Sequence, residues 1–409
     1  WKMASPPNDI NQNLAHTIYN RGQMIWYNPY EDEPTQNIWP EQSTSSQANN
    51  NTTKILEVKT QFQGNDDDIL WNGIMIPFYS SEYNQSSSKY LDIWMNAIDV
   101  QDDSLKLYID IGHISEDWNN NGILDTEDEP VYGPGMGDGI LADGEDIGVD
   151  HCTNSYENGW GGCLCNEYDE SIYDSDLFGI YGNATEYCID GLTYEAAKAI
   201  NPDTVKSPLF DENGVIDQFF TDPNGDDWCY NTTHCNSTSD YSRINGTEGN
   251  GQAMGYRYSD TEDMNNNKTL DARNAYFTFS IDPNQRKNDP SSIVVTETEK
   301  NGILTGWKLF RIPRTSFSKV GTPEWDDVRT FRLRVESSNI DADGIQDSTN
   351  LIKLAKIELV ENDWKELGVA HKDSLDSVVD NRFFIVEVIN SDESTEYKNT
   401  IDKLNIIRE

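Results

Sequence analysis

Apolar and polar residues that alternate with a period of two mark half-buried strands, and the chain shows this pattern in two blocks. The first block holds KILEVKTQF (54–62), WNGIMIPFY (71–79), YLDIWMNAI (90–98) and LKLYIDIGHI (105–114). After a long stretch without it, the pattern resumes in AYFTFSID (275–282), SSIVVTETE (291–299), GWKLFRIPR (306–314), DVRTFRLRVES (327–337) and LIKLAKIELVE (351–361). A further strand, FFIVEVIN (383–390), follows a polar stretch, and TYEAAKAI (193–200) reads as a short helix. A set of strands interrupted once predicts an all-β fold, an antiparallel jelly-roll-like β-sandwich in which the two blocks pair across a large insertion. Two separate β domains are the alternative, but four strands alone make a marginal core.

The pattern divides the chain into an N-terminal polar segment (1–50), a first part of the sandwich (51–114) and an acidic insertion (115–273). A second part of the sandwich (274–365) and a C-terminal segment (366–409) that opens a further domain complete the division. Within the first segment, GQMIWYNPY (22–30) is the one aromatic anchor. No apolar run is long enough to span a membrane as a helix. The chain begins at Trp1 without a signal peptide, which predicts a processed product or a fragment.

Charge changes the picture next. Thirty basic against 72 acidic residues give a formal charge of −42, which argues against partners that bind through Lys and Arg, nucleic acid and anionic membrane above all. Eleven Trp and 20 Tyr separate the chain from disordered acidic sequences, which are poor in aromatic residues. A folded protein with a very acidic surface is implied, adapted to a salty habitat, to divalent cations, or to both.

Cation chemistry has a specific carrier. DWNNNGILDTED (117–128) places Asp117, Asn119, Asn121, the backbone oxygen of Ile123, Asp125 and Asp128 at the ligand positions of a loop that wraps Ca2+, with Gly122 at the sharp turn. GMGDGILADGED (135–146) resembles the second half of such a loop, with Asp138, Asp143, Glu145 and Asp146. It lacks the first two carboxylates, so it would complete a site begun elsewhere. DMNNNKTLDARN (263–274) repeats the spacing with Asp263, Asn265, Asn267, Thr269 through its backbone, and Asp271. Lys268 stands there where Gly is wanted and Asn274 replaces the bidentate acid, so weaker affinity is expected. NIDADGIQDSTN (339–350) offers Asn339, Asp341, Asp343 and Asp347, whereas DPNGDD (222–227) reads as a turn held by Asx hydrogen bonds. No amphipathic helices flank these loops, so a structural role for Ca2+ is expected rather than that of a sensor.

All six cysteines, Cys152, Cys163, Cys165, Cys188, Cys229 and Cys235, fall inside the insertion. Disulfides in an oxidising compartment are expected, with Cys229 and Cys235 as a local pair. A zinc site near His151, Cys152, Cys163 and Cys165 is the competing reading. Asn-x-Ser/Thr triplets mark surface loops.

Carboxylates are too numerous to single out an acid–base pair, and no H-E-x-x-H, G-x-S-x-G, phosphate-loop or dinucleotide motif occurs. His113, at the end of a strand, reads as a buried or loop-orienting histidine. A non-enzymatic protein is expected. Carbohydrate binding is the alternative, with ring stacking on Trp160 and Trp228 in the insertion; Trp118 is a further aromatic candidate, and Trp71 and Trp94 read as core. An enzyme acting on polysaccharide is a third reading.

Several segments together resemble a region of the SprA/Sov family, the outer-membrane translocon of type IX secretion and gliding in Bacteroidetes. They include WNGIM (71–75), YLDIWM (90–95), LYIDIGHISEDWNNNGILDTED (107–128), GDGILADGEDIGVD (137–150) and NGTEGN (245–250). DTEDMNNNKTLDARNAYF (260–277), GWKLFRIP (306–313), IKLAKIELVENDW (352–364) and VEVINSDESTEY (386–397) extend the likeness over most of the chain. The resemblance implies a soluble module at the cell surface, associated with the outer membrane and touching other surface or secretion-machinery proteins or surface glycans. The chain is too short for the family's barrel, lacks its lipid-facing strands, and carries a cysteine-rich patch foreign to the family.

Overall fold

The computed structural model describes residues 1–8, 22–29, 31–40, 51–62, 70–78, 84–100, 102–118, 122–128, 137, 139–141, 145–149, 252–253, 256–257, 259–338 and 350–361. In chain order the strands are β1 (Lys2–Met3), β2 (Gln23–Tyr27), β3 (Glu33–Pro34), β4 (Thr52–Thr53), β5 (Leu56–Gln61), β6 (Leu70–Pro77), β7 (Tyr90–Asp99) and β8 (Lys106–His113). There follow β9 (Gln252–Ala253), β10 (Tyr256–Arg257), β11 (Ala275–Ile281), β12 (Val294–Lys300), β13 (Ile303–Pro313), β14 (Ser318–Val320), β15 (Thr330–Ser337) and β16 (Asn350–Val360). A single helical turn, α1 (Thr35–Ile38), lies between β3 and β4.

Two six-stranded antiparallel sheets carry the fold. The front sheet runs β1-β6-β15-β8-β11-β14 and the back sheet β12-β13-β7-β16-β5-β2. The two sequence blocks pair across the insertion: Phe277 lies opposite Ile111, Leu333 opposite Ile74, and Phe310 opposite Ile93. The strand-rich, antiparallel architecture is thus the one that the alternating pattern predicts.

Alternation decides which side chains enter the core. Ile93 and Met95 on β7 and Phe310 on β13 join Ile109, Ile111, Leu333 and Val335 from the front sheet in one apolar cluster. The intervening residues face outward. On the back sheet, Trp307 and Trp94 are covered by Ile38 of α1 and by Trp39. On the outer face of the front sheet, Asp110 lies between Arg332 (2.7 Å) and Arg334 (3.0 Å), all three fully buried. Each guanidinium also sits over a ring, Arg332 over Tyr276 and Arg334 over Tyr108. Burial pushes the Asp110 carboxyl up, but the two arginines outweigh it and hold the group below its ordinary value.

The segment before residue 51 contributes more than one aromatic anchor. Lys2 and Met3 pair with Met75 and Ile74, and the Ser5 carbonyl accepts an N–H from Arg332 (3.0 Å). QMIWY (23–27) forms β2 on the edge of the back sheet, with Met24, Ile25, Trp26 and Tyr27 all buried. A strand covered on both faces reads as a continuous apolar run, so the period of two fails there. The helix expected at 193–200, the strand at 383–390 and the C-terminal segment 366–409 lie outside the described residues.

Candidate functional site

Adjacent strands deliver the two best-formed acidic loops to one place. β8 ends at His113 opposite Ala275, where β11 begins, so the segment leaving β8 and the segment entering β11 start side by side. The tetrapeptide Asp-Thr-Glu-Asp occurs in both, at 125–128 and 260–263, and the two copies pair antiparallel through a bridge between Thr126 and Thr261.

The pairing is reciprocal almost atom for atom. The Glu127 N–H donates to the Asp260 carbonyl and the Glu262 N–H to the Asp125 carbonyl, both at 3.0 Å. Glu262 accepts the N–H groups of Trp118 (2.8 Å) and Asp125 (2.9 Å), one on each carboxylate oxygen. Glu127 likewise accepts those of Gly148 (2.8 Å) and Asp260 (2.7 Å). Thr126 and Thr261 each accept the N–H two residues on, from Asp128 and Asp263. Both glutamates therefore act as staples for backbone donors that burial would otherwise leave unmatched.

The cost of this seam is electrostatic. Glu116, Asp117, Asp125, Glu127, Asp128, Asp260, Glu262 and Asp263 are all buried, with Lys2 ion-paired to Asp260. Burial, then repulsion from Asp125 and Asp117, pushes Glu262 up to about 9 despite its two N–H partners. Burial and the Asp260 charge drive Glu127 in the same direction. Glu116 is pushed up to about 7, by burial first and by the charges of Asp271 and Asp263, with the Asp271 N–H working against both. Carboxylates so placed are neutralised by protons or by a bound cation.

The two loops share their turn geometry. In the first loop, Oδ2 of Asp117 accepts the Gly122 N–H at 3.0 Å; in the other, Oδ2 of Asp263 accepts the Lys268 N–H at 2.8 Å. The sixth position turns with positive φ in both, 76° at Gly122 and 63° at Lys268. Lysine thus adopts the conformation for which the pattern wants glycine. Oδ2 of Asp271 gathers the side-chain amides of Asn265 (2.7 Å) and Asn267 (2.9 Å), and the Thr269 N–H donates to Oδ1 of Asn267. Asn274, in the twelfth position, instead accepts the Ser115 N–H at 3.1 Å.

The half-loop at 135–146 joins the same seam. The Gly137 N–H donates to the Asp128 carbonyl and the Gly139 N–H to Oδ2 of Asp128, and the Asp146 charge is among those raising Glu127. A Cβ on Gly137 would lie 1.9 Å from Oδ1 of Asp128, so glycine is required there. Glu145 lies next to Asp146, and Ile123 of the first loop is exposed.

Asn119, Asn121, Asp138, Asp143, Asn339, Asp341, Asp343 and Asp347 lie outside the described residues, as do all six cysteines, Trp160 and Trp228. Among the described residues, no three carboxylate, imidazole or thiolate side chains converge tightly enough to hold a metal by themselves. The loop pattern draws its remaining donors from Asn amide and backbone oxygens.

Three aromatic expectations are settled by burial. Trp118 is no stacking platform: it is 3% exposed and packs with Val149 and Met3. Trp71 is fully buried and Trp94 half-buried on the outer face of the back sheet. His113 is half-buried, with Nε2 2.9 Å from Oδ2 of Asp327.

Four residues central to the seam, Glu116, Glu127, Asp260 and Glu262, hold no ligand position in the loop pattern. The repeated Asp-Thr-Glu-Asp is the signal that finds the last three. No helix among the described residues is long and apolar enough to cross a membrane. No protein-family model matches the chain, and no match to it was found among curated proteins.

Proposed function

We propose that this chain is a non-enzymatic, Ca2+-stabilised jelly-roll module that serves as a structural or interaction element at the bacterial cell surface. The observation that carries the cation reading is the pair of Asp-Thr-Glu-Asp segments, whose six carboxylates are buried together with Glu116 and Asp117 beside two loops turned alike at their sixth positions. Ca2+ is the fitting ion because the donors are all oxygen and the loops supply more of them than a six-coordinate Mg2+ accepts from protein. Asp117, Asp125 and Asp128, with the Ile123 backbone, would hold one ion, and Asp263, Asn265, Asn267 and Asp271, with the Thr269 backbone, a weaker one. The non-enzymatic reading is supported by Glu127 and Glu262, whose oxygens are committed to backbone N–H groups.

The jelly-roll reading rests on strand order. Take β5, β6, β7, β8, β11, β13, β15 and β16 as eight strands in chain order. In the back sheet the first then lies beside the last, followed by the third and sixth; in the front sheet the second lies beside the seventh, followed by the fourth and fifth. That interleaving of two four-stranded sets supports the jelly-roll reading. The likeness to the SprA/Sov translocon supports a place at the outer membrane, among other surface and secretion-machinery proteins.

The test is metal content by mass spectrometry on purified protein, with thermal melts in Ca2+ and after chelation. Bound calcium and a marked fall in melting temperature on chelation are expected, because a ligand held by the folded state alone stabilises it by mass action. Metal-free protein whose melting ignores added Ca2+ overturns the reading.

A further inference from the structure

Beside the seam, at the end of the front sheet, lies a cavity of about 610 Å3, a size typical of small-molecule sites. The end of β6, the start of β15 and the end of β8 form one wall, and the loop that leads into β11 forms the other. Phe78, Ile114 and Met264 give it an apolar surface.

Its charge is balanced where that of the molecule is strongly negative. In a chain of −42, the lining holds two guanidiniums, Arg273 and Arg329, with His113, against the carboxylates of Glu116 and Asp271, which accept N–H groups from Asn265, Asn267 and the Asp271 backbone. Arg273 is exposed and has no ion-pair partner among the described residues. Arg329 is pre-oriented: its Nε donates to Oδ1 of Asp327 at 2.7 Å while Oδ2 of the same carboxylate meets His113. That contact leaves the Nη groups of Arg329 for another acceptor. Asn266, exposed and held at φ 58°, adds an amide from a position outside the cation-ligand pattern.

We propose that this cavity binds an acidic saccharide, a hexuronate-type sugar whose carboxylate meets Arg273 and Arg329 and whose hydroxyls meet Asn266. Guanidinium forks match carboxylates in geometry as well as charge, and an amide donates to one hydroxyl while accepting from the next. Phe78 and Met264 offer the C–H face of the ring an apolar surface. The negative field of the whole chain opposes an anion at long range, but it is screened beyond about 8 Å at physiological ionic strength, within which the guanidiniums act.

Arg273, Arg329 and Asn266 are not candidate cation ligands, but Asn265, Asn267 and Asp271 of the second loop share the lining, so binding is read with and without Ca2+. The test is calorimetric titration of the full chain with sodium glucuronate, glucose and acetate, each with Ca2+ and after chelation. Glucuronate is expected to bind at least tenfold more tightly than either of the others, with Arg273→Ala and Arg329→Ala each weakening it at least tenfold and Asn266→Ala several-fold. If Arg329→Ala does not fold, because Asp327 loses its partner, Arg273→Ala decides. No binding of glucuronate, affinities unchanged in Arg273→Ala, or acetate binding as well as glucuronate overturns the proposal, the last pointing to a bare carboxylate such as a peptide C-terminus. Melts of the same samples report on the loops separately: glucuronate binding in a protein indifferent to Ca2+ keeps this proposal and overturns the cation reading.

Discussion

At Gly122 and Lys268 one backbone conformation is occupied by two very different residues, with φ of 76° and 63°. A Cβ on Gly122 would meet nothing within 4 Å, so Gly122→Ala tests backbone strain without a steric clash. The left-handed region costs an L-residue on the order of 1 kcal/mol, and a loss of about that size is expected in denaturant unfolding. Lys268→Gly should move stability the other way by no more than about 1 kcal/mol and tighten Ca2+ binding by the second loop. A loss of stability in Lys268→Gly would show that the lysine side chain, and not the turn, matters there. Glycine's absence at residue 268 read as a defect in the sequence because spacing rules name the residue rather than the conformation it serves.

Elements settle what residues leave open. Asp110 joins β8 to β15 between two buried arginines, and Asp110→Asn would leave Arg332 without its counter-charge and Arg334 with Glu336 in place of two carboxylates. A destabilisation of about 3–5 kcal/mol is expected from denaturant unfolding; a loss below about 1 kcal/mol would mean that Glu336 and the aromatic rings under the arginines suffice. The paired acidic segments make a prediction of their own for the chelated protein. Glu116 and Glu262 bind protons more tightly folded than unfolded, so the stability they support is complete below about pH 4.5. It then drains as pH rises through about 7 for Glu116 and about 9 for Glu262. Melting temperatures of chelated protein should fall steadily over that range, and saturating Ca2+ should flatten the slope; a chelated protein equally stable throughout would place these carboxyls in contact with water. Most of this level was legible in the sequence only in pieces. The strands of the shared core were visible because alternating burial imposes a period of two, whereas β2 was missed because both its faces are covered. The ligand positions of the loops follow from spacing, but the seam that unites them does not. Glu127 and Glu262 occupy positions without a role in any single loop, and they matter because β8 and β11 are neighbours, a contact between residues far apart in the chain.

For the whole molecule, the question is whether calcium would act at its loops or merely dilute a large negative charge. A formal charge of −42 destabilises the compact state by self-repulsion, and two bound Ca2+ would bring it only to about −38. A global account therefore gives a few ions little effect beyond that of ionic strength, and NaCl at matched ionic strength should do as well. A local account differs, because ions seated among carboxylates in the seam remove repulsion at contact distances, where screening by salt is weak. The expected result is that chelated protein gains some melting temperature from NaCl and considerably more from millimolar Ca2+, with the calcium increment saturating as sites fill. Mg2+ at the same concentration should fall short, since it holds its waters and requires a tighter octahedron. Equal shifts from NaCl, Mg2+ and Ca2+ at matched ionic strength would assign the acidity to solubility in a salty habitat. In that case the buried carboxyls must be kept neutral by protons, and the steady loss of stability toward high pH would persist with calcium present.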